Sequence, residues 1–156
     1  MPVEYLPIMA SNSAPKPPRV LTAPAKPSWH PIAKPVDRSR VAILTSAALR
    51  LAHQQPFIPR EDLSFRLVSS DPSAGALVID HHSGIGSVPK QDPEIVFPRT
   101  ALANLVGRGT VGALSPVHVS FMGGLRKHRE IETELAPAIA DELAKAQVDL
   151  ALLVPY

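Results

Sequence analysis

The stretch Val148-Asp-Leu-Ala-Leu-Leu-Val-Pro-Tyr156 carries six aliphatic or alanine residues in nine, with no alternation of apolar and polar positions. A short continuous apolar run of this kind reads as a strand buried on both faces, as in parallel sheets. In open parallel sheets the chemistry lies just beyond the carboxyl ends of the strands. The end of this run is therefore the first place to look for a site.

Working back from it, residues 126–147 have helical grammar, with Ile131, Leu135, Ile139, Leu143 and Ala146 on one stripe. Pro137 interrupts that stripe, so the helix either kinks there or restarts with the proline in its first turn. A second helix is expected over Pro98–Gly107, where the proline suits the first position and the glycine the stop. Strands are expected at Arg40–Ser46, Ser64–Ser69 and Ala76–Ile79, with a short strand or turn at Val111–Leu114. Strands alternating with helices predict an α/β fold, Rossmann-like or flavodoxin-like, with a mostly parallel sheet.

The chain has 156 residues and 45% hydrophobic content, enough for one domain with a real core. It has 18 prolines, nine of them in the first 35 residues. Proline removes backbone donors and biases its predecessor toward extended geometry. Residues 1–39 are accordingly expected to form an irregular, extended arm, and residues 40–156 the α/β domain, incomplete at its carboxyl end. Within the arm, residues 10–27 read as disordered, with Tyr5, Trp29 and Ile32 as anchors.

The net charge of +2 is unevenly placed: residues 1–40 hold six basic residues against two acids. These cations stand singly between prolines, without the clustering or aromatic interleaving of a nucleic-acid surface. There is no cysteine, hence no disulfide, no thiolate nucleophile and no cysteine-type zinc site within these residues. No secretory signal or membrane-length apolar run is visible, and a cytoplasmic protein without membrane contact is expected.

Three places could carry chemistry. Asp80-His81-His82 follows the strand ending at Ile79 and resembles the Asp-His-His signature of the DHH phosphoesterases, whose side chains hold divalent metals. A two-metal site needs further ligands from earlier strands, and Leu44–Ala48 offers none. Ser115-Pro-Val-His-Val-Ser-Phe-Met-Gly-Gly124 combines His118, suited to acid–base work, with Ser120 and a Gly123-Gly124 pair that lets backbone approach a ligand. A Ser/His/Asp hydrolase from Ser120, His118 and Asp80 is rejected, because no Gly-x-Ser-x-Gly elbow supports it. Arg66 is suited to clamp a carboxylate, or to form a surface ion pair with a nearby aspartate.

Several segments together resemble the selenoprotein B subunits of the glycine, sarcosine, betaine and D-proline reductases and their cysteine-containing relatives. They are Met1-Pro-Val-Glu-Tyr5, Ser39-Arg-Val-Ala-Ile43, Asp62-Leu-Ser-Phe-Arg66, Asp92-Pro-Glu-Ile-Val-Phe-Pro98, Gly112–Gly123 and Asp149–Pro155, in collinear order. The resemblance implies an oxidoreductase subunit for reductive C–N cleavage of glycine, betaine, sarcosine, D-proline or a related small amine. It implies no metal or cofactor in this chain, a pyruvoyl-bearing partner subunit, a thiol or selenol carrier protein and an oligomeric assembly. His118 is then the proton donor, with Arg66, His81, His82, Ser120, Gly123 and Gly124 around the substrate. The competing readings are a DHH-like metal-dependent phosphoesterase and a non-catalytic interaction module.

In that family the reactive cysteine or selenocysteine stands about one residue beyond the Leu-Leu-Val-Pro motif. It is therefore expected just after Tyr156, at a strand end and helix N-terminus, where exposed N–H groups favour the chalcogen anion. Three accounts are open: a UGA codon read as a stop, backbone cleavage at that residue, or a short relative that only binds a partner. The first is favoured. Sequencing past the Tyr156 codon is expected to show UGA, and a UAA or UAG codon there would refute that account.

Overall fold

The computed structural model describes residues 31–81 and 88–156. The arm residues Tyr5 and Trp29, residues 10–27 and His82 lie outside the described residues. The folded unit runs over Ile32–Tyr156.

Strand β1, Arg40–Thr45, is the centre of the sheet. Its sequence Arg-Val-Ala-Ile-Leu-Thr suits a buried strand, and Val41, Ala42, Ile43 and Thr45 are buried. One edge of β1 takes β7, Leu150–Val154, in parallel along its length, from Val41↔Leu150 to Thr45↔Val154. The other edge takes β5, Ala113–Leu114, at its start and β6, Val117–Phe121, at its end, both parallel. Strand β3, Phe65–Ser69, closes the far side antiparallel to β6. A separate two-stranded antiparallel ribbon pairs β2, Leu49–Leu51, with β4, Leu77–Ile79. The result is the expected α/β fold, with a mixed, mostly parallel sheet.

The helices lie on opposite faces of β1. A short α1, Val88–Gln91, precedes α2, Arg99–Gly107. Leu102, Leu105 and Val106 of α2 pack in the core cluster that holds Val41 and Ile43. The Glu94 carboxylate caps α2 by accepting from the Thr100 N–H (2.9 Å) and hydroxyl (2.8 Å). The third helix, α3, is one rod in three successive pieces: α-helical His128–Glu130, π-helical Ile131–Leu135 and α-helical Ala136–Lys145. Its Ile131, Leu135, Ile139 and Leu143 pack with Leu44 and Val119 in the other cluster. From β1 the chain passes on the α2 side to β6, then returns on the α3 side to β7. Reversing direction and face together gives both crossovers the same hand, as a doubly wound sheet requires.

Sequence and structure differ in three places, and agree at a fourth. At Pro137 the second expected alternative holds, since an α-helical piece starts at Ala136 with the proline in its first turn; the Ala136 N–H bonds Ile131 O in the π turn immediately before it. Strands β2 and β6 are additional to the expected elements. Strand β7 is not buried on both faces: Leu152 is 39% and Leu153 66% exposed, because among the described residues its outer edge has no neighbour. Ile32 is 54% exposed and anchors nothing in this unit. Residues 32–39 also pack with the sheet, through the Lys34–Asp149 ion pair (2.7 Å) and the Gly112 N–H to Val36 O (3.0 Å). Among the described residues no helix is long and apolar enough to cross a membrane.

His118 mends the one break in the central ladder. Between the β5 and β6 pairings, β1 advances from Val41 to Leu44 while its neighbour advances from Leu114 to Val119, two residues further. That bulge holds Pro116, and the Ile43 N–H donates instead to His118 Nδ1 at 3.0 Å. The imidazole is fully buried and sits edge-on to Phe97, with ring centroids 5.2 Å apart. Accepting at Nδ1 puts the neutral ring's proton on Nε2. Burial first, and the Arg99 charge second, lower its pKa to about 4.

The folded-state pKa lies below the unfolded value, so the unfolded chain binds more protons between the two. Stability is therefore expected to be intact above about pH 6.5 and to fall by roughly 3 kcal/mol as pH drops toward 4. Urea titrations across this range check it. His118→Leu is expected to flatten the profile while costing about 1–3 kcal/mol at pH 7, because it orphans the Ile43 N–H.

Candidate functional site

The carboxyl ends of β1, β6 and β7 meet at one end of the sheet, joined there by the end of β4. After β1 the chain turns through Ser46, Ala47 and Ala48. Ala48 holds φ +49, a left-handed conformation uncommon for alanine. It is locked in place: the Ala48 N–H donates to Phe121 O (2.9 Å), and Ala48 O accepts from the Asp80 N–H (3.1 Å). The Leu49 N–H donates to the buried Ser120 Oγ at 2.7 Å. These bonds pull the ends of β1, β4 and β6 together.

Ser46 then ties in β7. Its Oγ accepts from the Tyr156 N–H (2.8 Å) and donates to Tyr156 O (3.3 Å). The Tyr156 ring meets the His81 ring edge-on at 5.1 Å between centroids. Gly123 lies in the middle of this convergence. A Cβ there would stand 2.7 Å from Ser46 O and 3.1 Å from both His81 Nε2 and Tyr156 O. Only a residue without a side chain lets the four segments approach this closely. Gly124 follows with φ +69, a second position that favours glycine.

Beside them is a cavity of about 140 Å³ lined by Pro59, Arg60, His81, Met122, Gly123 and Gly124. At about 30 Å³ per water this is room for some five waters, or a very small organic molecule. Arg60 supplies positive charge, and among the described residues no acidic side chain lines the cavity. A larger polar cavity, about 480 Å³, lies at the opposite end of the sheet among Lys34, Arg38, Arg40 and Asp149. It sits at the amino ends of β1, β5 and β7, and Asp149 already bonds Lys34 Nζ and the Arg40 N–H. We place the candidate site in the smaller crevice, because parallel sheets bind ligands beyond their carboxyl ends.

Of the residues singled out from sequence, the fold brings His81, Gly123 and Gly124 together. Ser120 is buried one turn of backbone back, its oxygen engaged by Leu49. His118 lies mid-strand against Phe97 and does not line the crevice. Asp80 accepts from Arg50 Nε (2.7 Å) and the Phe57 N–H (2.8 Å). Among the described residues no group of three or more His, Cys, Asp or Glu could hold a metal ion.

Arg66 latches the loop between β2 and β3. Its guanidinium donates to Gln55 O (2.9 Å), Ser64 Oγ (2.6 Å), Phe65 O (3.1 Å) and Pro56 O (3.3 Å). It also lies 4.2 Å over the Phe57 ring and pairs with Asp62 at 3.5 Å. Burial alone would raise the Asp62 pKa. Hydrogen bonds from Ser64 and the Ile58 N–H, with the Arg66 charge, hold it below its ordinary value.

Ser46, Arg60 and Tyr156 are site residues that sequence reading did not single out. Ser46 and Tyr156 each stand at the end of an expected parallel strand, which was signal enough to find them. Arg60, in an irregular loop, carried none.

The chain is 29% identical over 127 residues to the D-proline reductase subunit gamma of Acetoanaerobium sticklandii, a match covering 81% of this chain and 52% of that protein. The chain thus spans about half the length of this curated relative, and it is distantly related to that reductase family. No protein-family model matches the chain, and no solved structure matches it.

Gly123→Ala is expected to destabilise the protein by about 1–3 kcal/mol, since the added methyl meets backbone that cannot swing aside. Gly124→Ala, which meets open space, is expected to cost only about 1 kcal/mol, for its left-handed φ. Paired urea denaturation curves compare the two.

Proposed function

We propose that residues 1–156 are the sheet-bearing part of a reductase subunit of the glycine/D-proline reductase type, acting in reductive cleavage of a C–N bond in a small amine. The carrying observation is the 127-residue match to the D-proline reductase gamma subunit. The crevice at the carboxyl ends of β1, β6 and β7 supports it, being the place where an α/β sheet presents chemistry.

In this reading a cysteine thiolate or selenolate follows Tyr156 and attacks the carbon that carries nitrogen. A carbon–chalcogen bond forms as the C–N pair leaves with nitrogen, which takes up a proton. The chalcogen of a thiol or selenol carrier then attacks the adduct's chalcogen and closes a chalcogen–chalcogen bond, while the carbon leaves with the C–chalcogen pair and takes up a proton; a dithiol reduces the new bond. An amine that carries an N–H would be bound through a pyruvoyl group of a partner subunit, to which no residue of this chain is assigned; betaine, which carries none, would be activated otherwise. This chain's share is the crevice itself: Gly123 brings the strand ends together, and His81, held edge-on by the Tyr156 ring, walls the space. His118 is a positioning residue here, holding β1 to β6, rather than a proton donor. The apolar edge of β7, with Leu152 and Leu153 exposed, supports association with further polypeptide. The phosphoesterase reading draws no comparable support from the comparisons.

The test is to tag the protein in its own host, purify it with its companions and assay it anaerobically with a dithiol. D-Proline, glycine, sarcosine and betaine form the panel. One of them is expected to be consumed with oxidation of the dithiol, and iodoacetate is expected to abolish it. Since residues 1–156 contain no cysteine, such sensitivity places the nucleophile outside them, and these residues alone are expected to be inactive. Failure to consume any of the four overturns the proposal.

A further inference from the structure

The residue best placed to select a substrate is Arg60. Arginine binds carboxylates through paired, charge-assisted N–H donors, provided those donors are not already used. Arg66, the arginine that stands out in the sequence, has used its own on the loop between β2 and β3. Arg60 differs on each count. Among the described residues its guanidinium makes no hydrogen bond or ion pair. It lines the crevice with His81, Gly123 and Gly124, and among the described residues no acidic side chain lines that crevice to neutralise it.

The backbone at Arg60 adds an independent observation. It holds φ +65, a conformation that disfavours a residue with a side chain. The surrounding turn imposes it: the Glu61 and Asp62 N–H groups both donate to Ile58 O, at 3.4 and 3.2 Å. The Ile58 N–H donates in return to Asp62 Oδ2 at 3.1 Å. Arg66 braces Asp62 from behind. Glycine would sit in this turn without strain, yet the position carries an exposed arginine that lines the cavity. Non-glycine residues held at positive φ cluster at binding sites, where surrounding structure over-determines them.

We propose that Arg60 is the carboxylate-binding residue of the crevice, holding a small substrate by its carboxylate and so discriminating it from amines that lack one. The cavity volume suits a small carboxylate, and Pro59 and Met122 give it an apolar wall against which a short aliphatic part can lie. The reaction assigned to that substrate rests on the reductase reading above; the anion site rests on the geometry of Arg60 alone.

The test uses the full-length protein isolated with its companion subunits. Binding of D-proline, glycine, sarcosine and betaine is measured by calorimetry beside the carboxylate-free amines pyrrolidine and methylamine, and turnover is measured in parallel. In Arg60→Met, the Kd and KM of a bound carboxylate are expected to rise at least tenfold, with kcat within threefold of wild type and partial recovery in Arg60→Lys. Arg60→Gly is expected to lose the same affinity while keeping or raising the melting temperature, which an arginine holding structure would not allow. The proposal is overturned if Arg60→Met binds carboxylates as wild type does, or if the wild-type protein binds none of them. Carboxylate binding that depends on Arg60 without turnover of any substrate would sustain the anion site and overturn the reductase reading. Turnover indifferent to Arg60 would do the reverse.

Discussion

The pairing of β1 along both edges is the constraint on which the rest of the structure depends. A buried strand must satisfy its N–H and C=O groups on each side, and β1 does so with β7 on one edge and β5 with β6 on the other. All three pairings are parallel, so the carboxyl ends of β1, β6 and β7 come to the same end of the sheet. Parallel neighbours cannot be joined by tight turns. The connecting segments therefore become helices, and α2 and α3 take opposite faces because the chain reverses its direction across β1. The crevice lies beside this convergence, between the segment after β6, the end of β4 and the loop that carries Pro59 and Arg60.

Two residues of unlike chemistry keep that arrangement in register. His118 replaces a ladder bond at the bulge around Pro116, presenting a lone pair to the Ile43 N–H where no carbonyl is in place. Gly123 allows the closest approach at the other end, with Ser46 O, His81 and Tyr156 O all within 3.1 Å of where a methyl would be. One supplies an acceptor in mid-sheet and the other supplies the absence of a side chain where the strand ends converge. Both lie in the segment 115–124 that looked like an active-site loop in the sequence.

That segment shows what sequence reading can and cannot separate. A histidine, a serine and two glycines in ten residues are the ingredients of a site, and the glycines do form its wall. The histidine and the serine instead serve the backbone, because β6 is a strand and alternate residues along it face the interior. The same holds for the two arginines. Arg66 sits on a recognisable alternating strand and drew attention, yet loop carbonyls occupy it. Arg60 lies in an irregular loop with no periodicity to advertise it, and a turn of the chain delivers it to the crevice.

By itself the sequence determined the class of fold, the main helices, strands β1, β3, β4 and β7 and the absence of any thiol from residues 1–156. Those properties follow from local periodicity, proline and glycine placement and composition, which neighbouring residues alone can encode. The tertiary structure decided which edge of β1 each strand occupies, that β7 is an exposed edge and not a buried strand, and that β2 and β6 exist. It also decided which polar residues are engaged by backbone and which face the crevice. Hydrogen-bond demand at one residue is met by groups as far as 110 positions away, as between Ser46 and Tyr156. No local pattern carries that information, because the partner is chosen only when the strands close on one another.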